Sequence, residues 1–170
     1  MHRLNHMAMS LPRGTITPEW VDDIKAFYGG IFGWDVAVVR AGDDPTAPVH
    51  HLYMQLDPAG YQYLYIGESD TPMTVDGMEH LGIITESIEE ATALYEQCER
   101  FREKDDRLTI SGSGLITVDP SGSAFTMTFD NGWAPPYVTT GFNFHYLMPV
   151  GWDVQYDAYR AEPEKRWQYA

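Results

Sequence analysis

The chain has 170 residues, 44% of them hydrophobic, and carries 25 acidic against 11 basic residues, a formal net charge of −14. This charge repels phosphate backbones and anionic lipid heads, so the composition argues against a nucleic-acid or membrane partner. The sequence has no run of 18 apolar residues, no long apolar segment at its start, and one cysteine, Cys98, which cannot form an internal disulfide. We therefore expect a cytoplasmic protein with one core or two small packed modules.

The first half of the chain predicts the order β-α-β-β-β. The alternation in LNHMAMSL (4–11) predicts a strand, and an apolar stripe at helical spacing predicts a helix from Thr17, its N-cap, to the glycines at 29, 30 and 33. Three more strands are predicted at WDVAVVRA (34–41), HHLYMQLD (50–57) and GYQYLYIGE (60–68). The tyrosines at 61, 63 and 65 share one sheet face, either as core or as the wall of a cavity.

The second half predicts the same order after a polar linker. MEHLGIIT (78–85) predicts a strand, and Ser87 with Glu90 forms a capping box before a helix with Cys98 on its buried stripe. Further strands are predicted within LTISGSGLITVD (108–119), SAFTMTFD (123–130) and FNFHYLMPVGWDVQYDAY (142–159).

The order of elements is therefore an internal repeat. We predict an α+β fold of two βαβββ modules, residues 1–68 and 78–160, with a linker at 69–77 and a tail at 161–170, whose curled sheets enclose a cavity. The opening strands of the modules, NHMAMS and EHLGII, place His6 and His80 at equivalent positions. Each histidine shares its strand face with a small residue two positions on, which leaves space in front of the imidazole.

Gln155 lies in the last predicted strand, where its role has two interpretations. It shares one strand face with Asp153 and Asp157, whereas Val154 and Tyr156 share the other. The polar side is either a solvated edge or a ligand position. We expect His50 and His51 to line a rim, and Glu68 to be solvated against the linker.

Three motifs in order, NHMAMS, FYGGIFGW and EHLGII with a following helix, resemble the vicinal oxygen chelate superfamily of glyoxalases, bleomycin-resistance proteins and extradiol dioxygenases. GLITVD and FHYLMPVGWDVQYDA are similar to the C-terminal module of type I extradiol dioxygenases. The resemblance implies a small aromatic or carbonyl ligand. It also leaves open whether the site forms within one chain or across a homodimer.

The resemblance further implies a divalent metal, Fe(II) or Mn(II), held by His6, His80 and Gln155. Two imidazoles and one oxygen on one face leave open positions for substrate and O₂. Gln155 replaces the carboxylate of that family. His145 aligns with the active-site tyrosine of the family, with Tyr146 adjacent, and both are candidate catalytic residues because an imidazole exchanges protons near neutral pH.

Three classes of function remain open at the level of the sequence. The repeated histidines favour a metal-dependent enzyme. The missing carboxylate and the acidic charge favour a metal-free protein that sequesters a small molecule on aromatic side chains, as bleomycin-resistance proteins do. A structural partner protein, in which both histidines serve only the fold, is the third class.

Overall fold

The computed structural model describes residues 5–40, 42, 44, 46–75, 79–85, 87–111 and 137–161. The strands predicted at 123–130 and in most of 108–119, and the tail beyond Ala161, lie outside these residues. Packing divides the chain into two compact units, Met1–Glu79 with Leu147–Trp152 and His80–Tyr146 with Asp153–Ala170. Within the described residues, each unit contains one four-stranded sheet.

The sheet of the first unit has the strand order β1-β4-β3-β2. β1 is parallel to β4, and the other two pairs are antiparallel. The sheet is open, with β1 and β2 at its edges. The strands are β1 His6–Pro12, β2 Asp35–Arg40, β3 Val49–Gln55 and β4 Tyr63–Ser69.

The helical segment of the first unit begins where the sequence predicts. The hydroxyl of Thr17 accepts a hydrogen bond from the backbone N–H of Trp20 at 3.2 Å. The segment runs through α1 (Pro18–Ile24), a π-helical turn (Lys25–Gly29) and α2 (Gly30–Phe32). Of the three glycines predicted to end the helix, Gly29 and Gly30 do not, because both keep right-handed φ values and the π turn continues the helix. Gly33, at φ 70°, ends it in the left-handed conformation that glycine adopts readily.

The second unit repeats this topology. Its sheet has the order β5-β8-β7-β6, with β5 parallel to β8. The helix α3 (Ile88–Arg102) has Ser87 as its N-cap, whose hydroxyl accepts a hydrogen bond from the Glu90 N–H at 3.1 Å. The strands are β5 His80–Thr85, β6 Thr109–Ser111, β7 Tyr137–His145 and β8 Asp153–Ala161. The prediction of an α+β fold with two βαβββ units is thus confirmed in the described part of the chain.

Each sheet buries one side in an apolar core. In the first unit that side carries residues such as Met9, Leu52 and Ile66, with exposures of 4%, 0% and 0%. In the second unit, the corresponding side carries Phe144 and Val154, and β7 and β8 contact α3. The predicted burial of Cys98 in α3 is confirmed, and burial raises the pKa of its thiol to about 12.

The opposite sides of the two sheets are more exposed. We call them the first face and the second face. The first face carries His6, Gln55 and the aromatic side chains His51, Tyr53, Tyr63 and Tyr65. The second face carries His80, Asn143, His145, Asp153 and Gln155.

The segment Leu147–Trp152 connects β7 to β8 but packs with the first unit. The Val75 N–H donates to the Val150 carbonyl at 3.2 Å. Gly151, at φ 82°, approaches the backbone so closely that a Cβ atom there would lie 1.9 Å from the Val75 oxygen. Only glycine fits this position.

Glu68 differs from the sequence prediction. Its carboxylate is half-buried and accepts the backbone N–H of Ile16 at 2.6 Å, so it supports the turn before α1 rather than being solvated. In the described ranges, no helix is both long and apolar enough to cross a membrane.

Candidate metal and ligand site

His6 is the first residue of β1 and its side chain is exposed on the first face. Its ring stacks on the Tyr63 ring with the centroids 5.0 Å apart and the planes 10° apart. Its Nδ1 atom lies 2.8 Å from Oδ1 of Asn5. The imidazole is therefore held both across its plane and at one nitrogen.

The stack is one end of a continuous series of aromatic contacts on the first face. Tyr53 meets Tyr63 and Tyr65 edge-on, with centroids 5.2 Å and 5.4 Å away. His51 lies 4.6 Å from the Tyr65 ring and 5.4 Å from the Tyr53 ring. These rings are not part of the core, because the opposite side of the sheet forms the core. Tyr53, Tyr63 and Tyr65 are only half-buried. Partly exposed phenol rings suit contact with a planar ligand.

His51 is the half-buried imidazole of this series. Burial lowers the pKa of its imidazole below the ordinary value, and the neighbouring His50 lowers it further. Both effects favour the neutral form of the ring. His50, predicted as a second rim residue, is exposed and faces away from these rings.

The second face brings His80 and Gln155 onto neighbouring strands. In the parallel register of β5 and β8, Gln155 is opposite Gly82, two residues from His80, so both side chains point to the same side. β8 lies between β5 and β7, so the alternative that Gln155 belongs to an edge strand is wrong. Gln155 is half-buried on this face.

Asp153 is the residue directly opposite His80. Neighbouring strands are about 4.8 Å apart, so this register puts a carboxylate and an imidazole at facing positions on the second face. His145 lies on the same face, since Asn143 is opposite Gln155 and His145 follows two residues later on β7. The second face thus combines imidazoles, a carboxylate and amides.

Tyr146 is placed differently from His145. It is fully buried, and its ring contacts Phe101 of α3 edge-on at 5.2 Å. Its hydroxyl donates to Asp105 at 2.7 Å and accepts from Arg107 at 3.2 Å. The side chain therefore anchors the turn after α3, and the catalytic role predicted for it stays a prediction.

The donor chemistry of the predicted set fits a divalent ion. Imidazole nitrogen and amide or carboxylate oxygen are ordinary ligands of Fe(II) and Mn(II). No group of three His, Cys, Asp or Glu side chains comes together within the described ranges. The predicted set includes only two residues of those four types. His6 belongs to the first unit, and His80 and Gln155 belong to the second.

A separate surface cavity of about 310 Å³ lies at the end of the first sheet. Its lining includes Phe32, Asp35, Gln55 and Pro58, and none of the predicted site residues. Gln55 and Asp35, its partner on β2, are the residues of the first sheet's exposed side that line it, so it is a neighbouring feature rather than the predicted site.

Sequence reasoning overlooked two neighbours of the predicted ligands, Asn5, which contacts His6, and Asp153, which is opposite His80. The signal for Asp153 was present, because it shares a strand face with Gln155, but its pairing with His80 depends on strand register. Asn5 precedes β1 and contacts residues far along the chain, which no local pattern indicates. Tyr53 was overlooked for the same reason.

No family model and no curated protein matches the sequence. Among solved structures, the chain is similar to a glyoxylase/bleomycin resistance protein/dioxygenase domain from Frankia sp. EAN1pec. The two are 15% identical over 94% of this chain and 99% of that chain, with a TM-score of 0.54. A glyoxalase/bleomycin resistance protein/dioxygenase from Alicyclobacillus acidocaldarius is 14% identical over 92% and 91% of the chains, with a TM-score of 0.51. The chain therefore has the vicinal oxygen chelate fold, as the sequence motifs predicted.

Proposed function

We propose that this protein acts on a small aromatic or carbonyl compound through a divalent metal ion held by His6, His80 and Gln155. The observation that supports this most directly is the equivalence of the two histidines. Each is the first residue of an edge strand, each strand is parallel to the last strand of its unit, and each side chain is on the more exposed face. A histidine that served only the fold would not need to recur at this position.

Asp153 completes the proposed donor set. Two histidines and a glutamine are all neutral ligands, which hold a divalent ion more weakly than a set with a carboxylate. Because Asp153 is directly opposite His80, it can supply a negative charge to the same ion or to a water bound there. Gln155 supplies an amide oxygen from the next position on the same face of β8.

A bound ion would polarise an oxygen of the substrate as a Lewis acid. The side chains around it have separate tasks. His145, on β7 of the second face, is the proposed proton donor or acceptor, since imidazole titrates near neutral pH. The tyrosines of the first face would contact the planar part of the substrate.

Metal analysis tests this proposal first. Protein purified without chelators is examined for bound metal, and Fe(II), kept anaerobic, and Mn(II) are titrated into metal-free protein by calorimetry. We expect His80→Ala to abolish binding and Gln155→Glu to strengthen it, because a carboxylate adds charge and a harder oxygen. His50→Ala is the matched control, since His50 is exposed and lies outside both faces. Absence of metal binding in folded wild-type and Gln155→Glu proteins would contradict the proposal.

The aromatic series of the first face favours a second candidate function, metal-free sequestration of a planar molecule. A net charge of −14 would attract a cationic ligand to such rings. Proflavine, 2-naphthol and 2-naphthoate, which are a planar cation, a neutral compound and an anion, distinguish the cases by fluorescence titration. Sequestration predicts tightest binding of proflavine without metal and its loss in Tyr65→Ala. Equal binding of all three compounds, unaffected by Tyr65→Ala, would reject it.

The oligomeric state belongs to the same proposal. The sequence resemblance implies that a homodimer can share such a site, so metal binding should be measured together with molecular mass in solution. Mixing His6→Ala with His80→Ala subunits would restore part of the binding only if two copies share a site.

A further inference from the structure

Asn5 is the residue that fixes the chemical form of the His6 imidazole. Its side chain bridges two groups. Nδ2 lies 2.9 Å from the Tyr61 carbonyl oxygen, and Oδ1 lies 2.8 Å from Nδ1 of His6. The backbone carbonyl of Asn5 also accepts the Tyr63 N–H at 3.1 Å. The residue is therefore tied to the start of β4 by both its main chain and its side chain.

These partners determine which way the Asn5 amide is turned. The Tyr61 carbonyl oxygen can only accept a hydrogen bond, so the amide atom that faces it must be the NH₂ group. The amide oxygen of Asn5 consequently faces His6. Because that oxygen can also only accept, Nδ1 of His6 must carry the hydrogen of the bond between them.

A neutral imidazole carries a hydrogen on only one of its two nitrogens. With Nδ1 protonated, Nε2 keeps its lone pair. Stacking on Tyr63 fixes the orientation of the ring plane, and the contact with Asn5 fixes which edge of the ring faces Asn5. A histidine ring free in water favours the opposite tautomer, with the hydrogen on Nε2.

We propose that Asn5 is a positioning residue that holds His6 in the Nδ1–H tautomer, so that Nε2 is the atom that binds the metal. This inference rests on the proposed function for the identity of the ligand, but the tautomer itself does not depend on any metal. Histidines that bind metals usually donate their second N–H to a carbonyl or carboxylate, which orients the ring and makes the ligand more basic. Asn5 provides such an acceptor.

The direct test is the tautomer of His6 in metal-free protein. Protein labelled with ¹⁵N-histidine is examined by long-range ¹H–¹⁵N correlation at a pH about two units above the ordinary imidazole pKa of about 6.5. We expect the Nδ1–H pattern in the wild type. Asn5→Ala should change the ratio of tautomers by about fivefold toward Nε2–H, the factor of one net hydrogen bond. Asn5→Asp should keep the Nδ1–H pattern, because a carboxylate accepts the same bond.

The exposed His50 serves as an internal control, since its signals should be the same in all three proteins. A merely structural Asn5 would affect stability in both variants without changing the tautomer. The inference is overturned by an Nε2–H pattern for His6 in the wild type, or by an unchanged tautomer ratio in Asn5→Ala.

Titration of Mn(II) into the same proteins separates this inference from the proposed function. If both hold, Asn5→Ala weakens binding by about tenfold, and Asn5→Asp restores it. If the wild type binds no metal but its tautomer responds to Asn5→Ala, the proposed function fails and the role of Asn5 stands. If Mn(II) binds equally to all three proteins and the tautomer does not change, the role of Asn5 fails and the metal site stands.

Discussion

The two units share one topology but carry different chemistry on their exposed faces. In the first unit, the two residues of β4 opposite His6 and Ala8 are Tyr63 and Tyr65. In the second unit, the residues of β8 at the same places, opposite His80 and Gly82, are Asp153 and Gln155. The alternate positions on these strands are apolar in both units, with Leu64 in one and Val154 in the other.

This difference shows which side of each sheet must keep the same type of residue in both units. The side of each sheet that packs in its core must be apolar, because burial of that side stabilises the unit. The more exposed side is released from this requirement, so one copy can carry aromatic rings and the other polar ligands. The first face therefore carries mainly aromatic rings, and the second face carries imidazoles, a carboxylate and amides.

The largest change in the free energy of unfolding is expected for substitutions on the buried side of each sheet. We expect Phe144→Ala to lower the free energy of unfolding by about 3–5 kcal/mol and Ile66→Ala by about 2–5 kcal/mol, because both side chains are almost fully buried. Their neighbours on the exposed faces provide matched controls. Asn143→Ala and Tyr65→Ala should each cost about 1 kcal/mol or less. Urea unfolding measures all four, and equal losses on the two sides of a sheet would refute the division of roles.

A smaller effect tests whether the carboxylate of Asp105, in the turn after α3, stabilises the second unit. The Arg107 guanidinium holds the pKa of the Asp105 carboxyl well below its ordinary range, and the Tyr146 hydroxyl contributes. The lowered pKa means that Asp105 stabilises the folded protein above its ordinary pKa of about 3.9, and that this stability is lost as the pH falls through the folded value. We expect Asp105→Asn to cost about 1–3 kcal/mol at neutral pH.

The difference between wild type and Asp105→Asn should shrink as unfolding is measured at successively lower pH below about 4. Tyr146→Phe, which keeps the ring but removes both hydrogen bonds of the hydroxyl, should cost about 1 kcal/mol. A pH-independent difference would show that the carboxylate charge is not what stabilises the turn after α3.

The smallest change in stability is expected at the N-caps of α1 and α3, where the two units are alike. Thr17→Ala and Ser87→Ala should each lower stability by about 1 kcal/mol, because each removes a side-chain acceptor from the first turn of a helix. Glycine at either position should cost only a few tenths of that amount. Thermal unfolding of the four variants is the measurement, and a loss confined to one helix would mean that the units are not equivalent there.

Local sequence patterns predicted most of the described elements but not their partners. Period-2 alternation, helical spacing and capping residues predicted α1, α3 and the strands β1 to β5 and β8 close to where they lie, because these signals arise within a few residues. β7 begins at Tyr137, ahead of the strand predicted from residue 142. The π turn at Lys25–Gly29 was not predicted, because the apolar stripe that places Phe27 and Tyr28 in the core indicates a helix but not its hydrogen-bond spacing.

The candidate site shows the same limit. Repetition in the sequence indicated His6 and His80, and alternation placed Gln155 on a polar face. The pairing of His80 with Asp153, the ring contacts of Tyr53 and the bond from Asn5 all depend on strand register between distant segments. Register is decided by packing of the whole sheet, which no short window of sequence contains.

The short segment Leu147–Trp152 has a consequence for attempts to take the protein apart. Although the sequence suggests two modules in tandem, the first unit is completed by residues that follow most of the second, and Gly151 seats them against Val75. A gene fragment ending near residue 79 would encode the first sheet without the Leu147–Trp152 segment. A fragment beginning there would contain the segment but not the residues of the first unit against which it packs. Separate expression of the halves should therefore yield poorly folded fragments that recover when mixed, and recombination with other repeats of this fold would have to exchange the Leu147–Trp152 segment together with the first half.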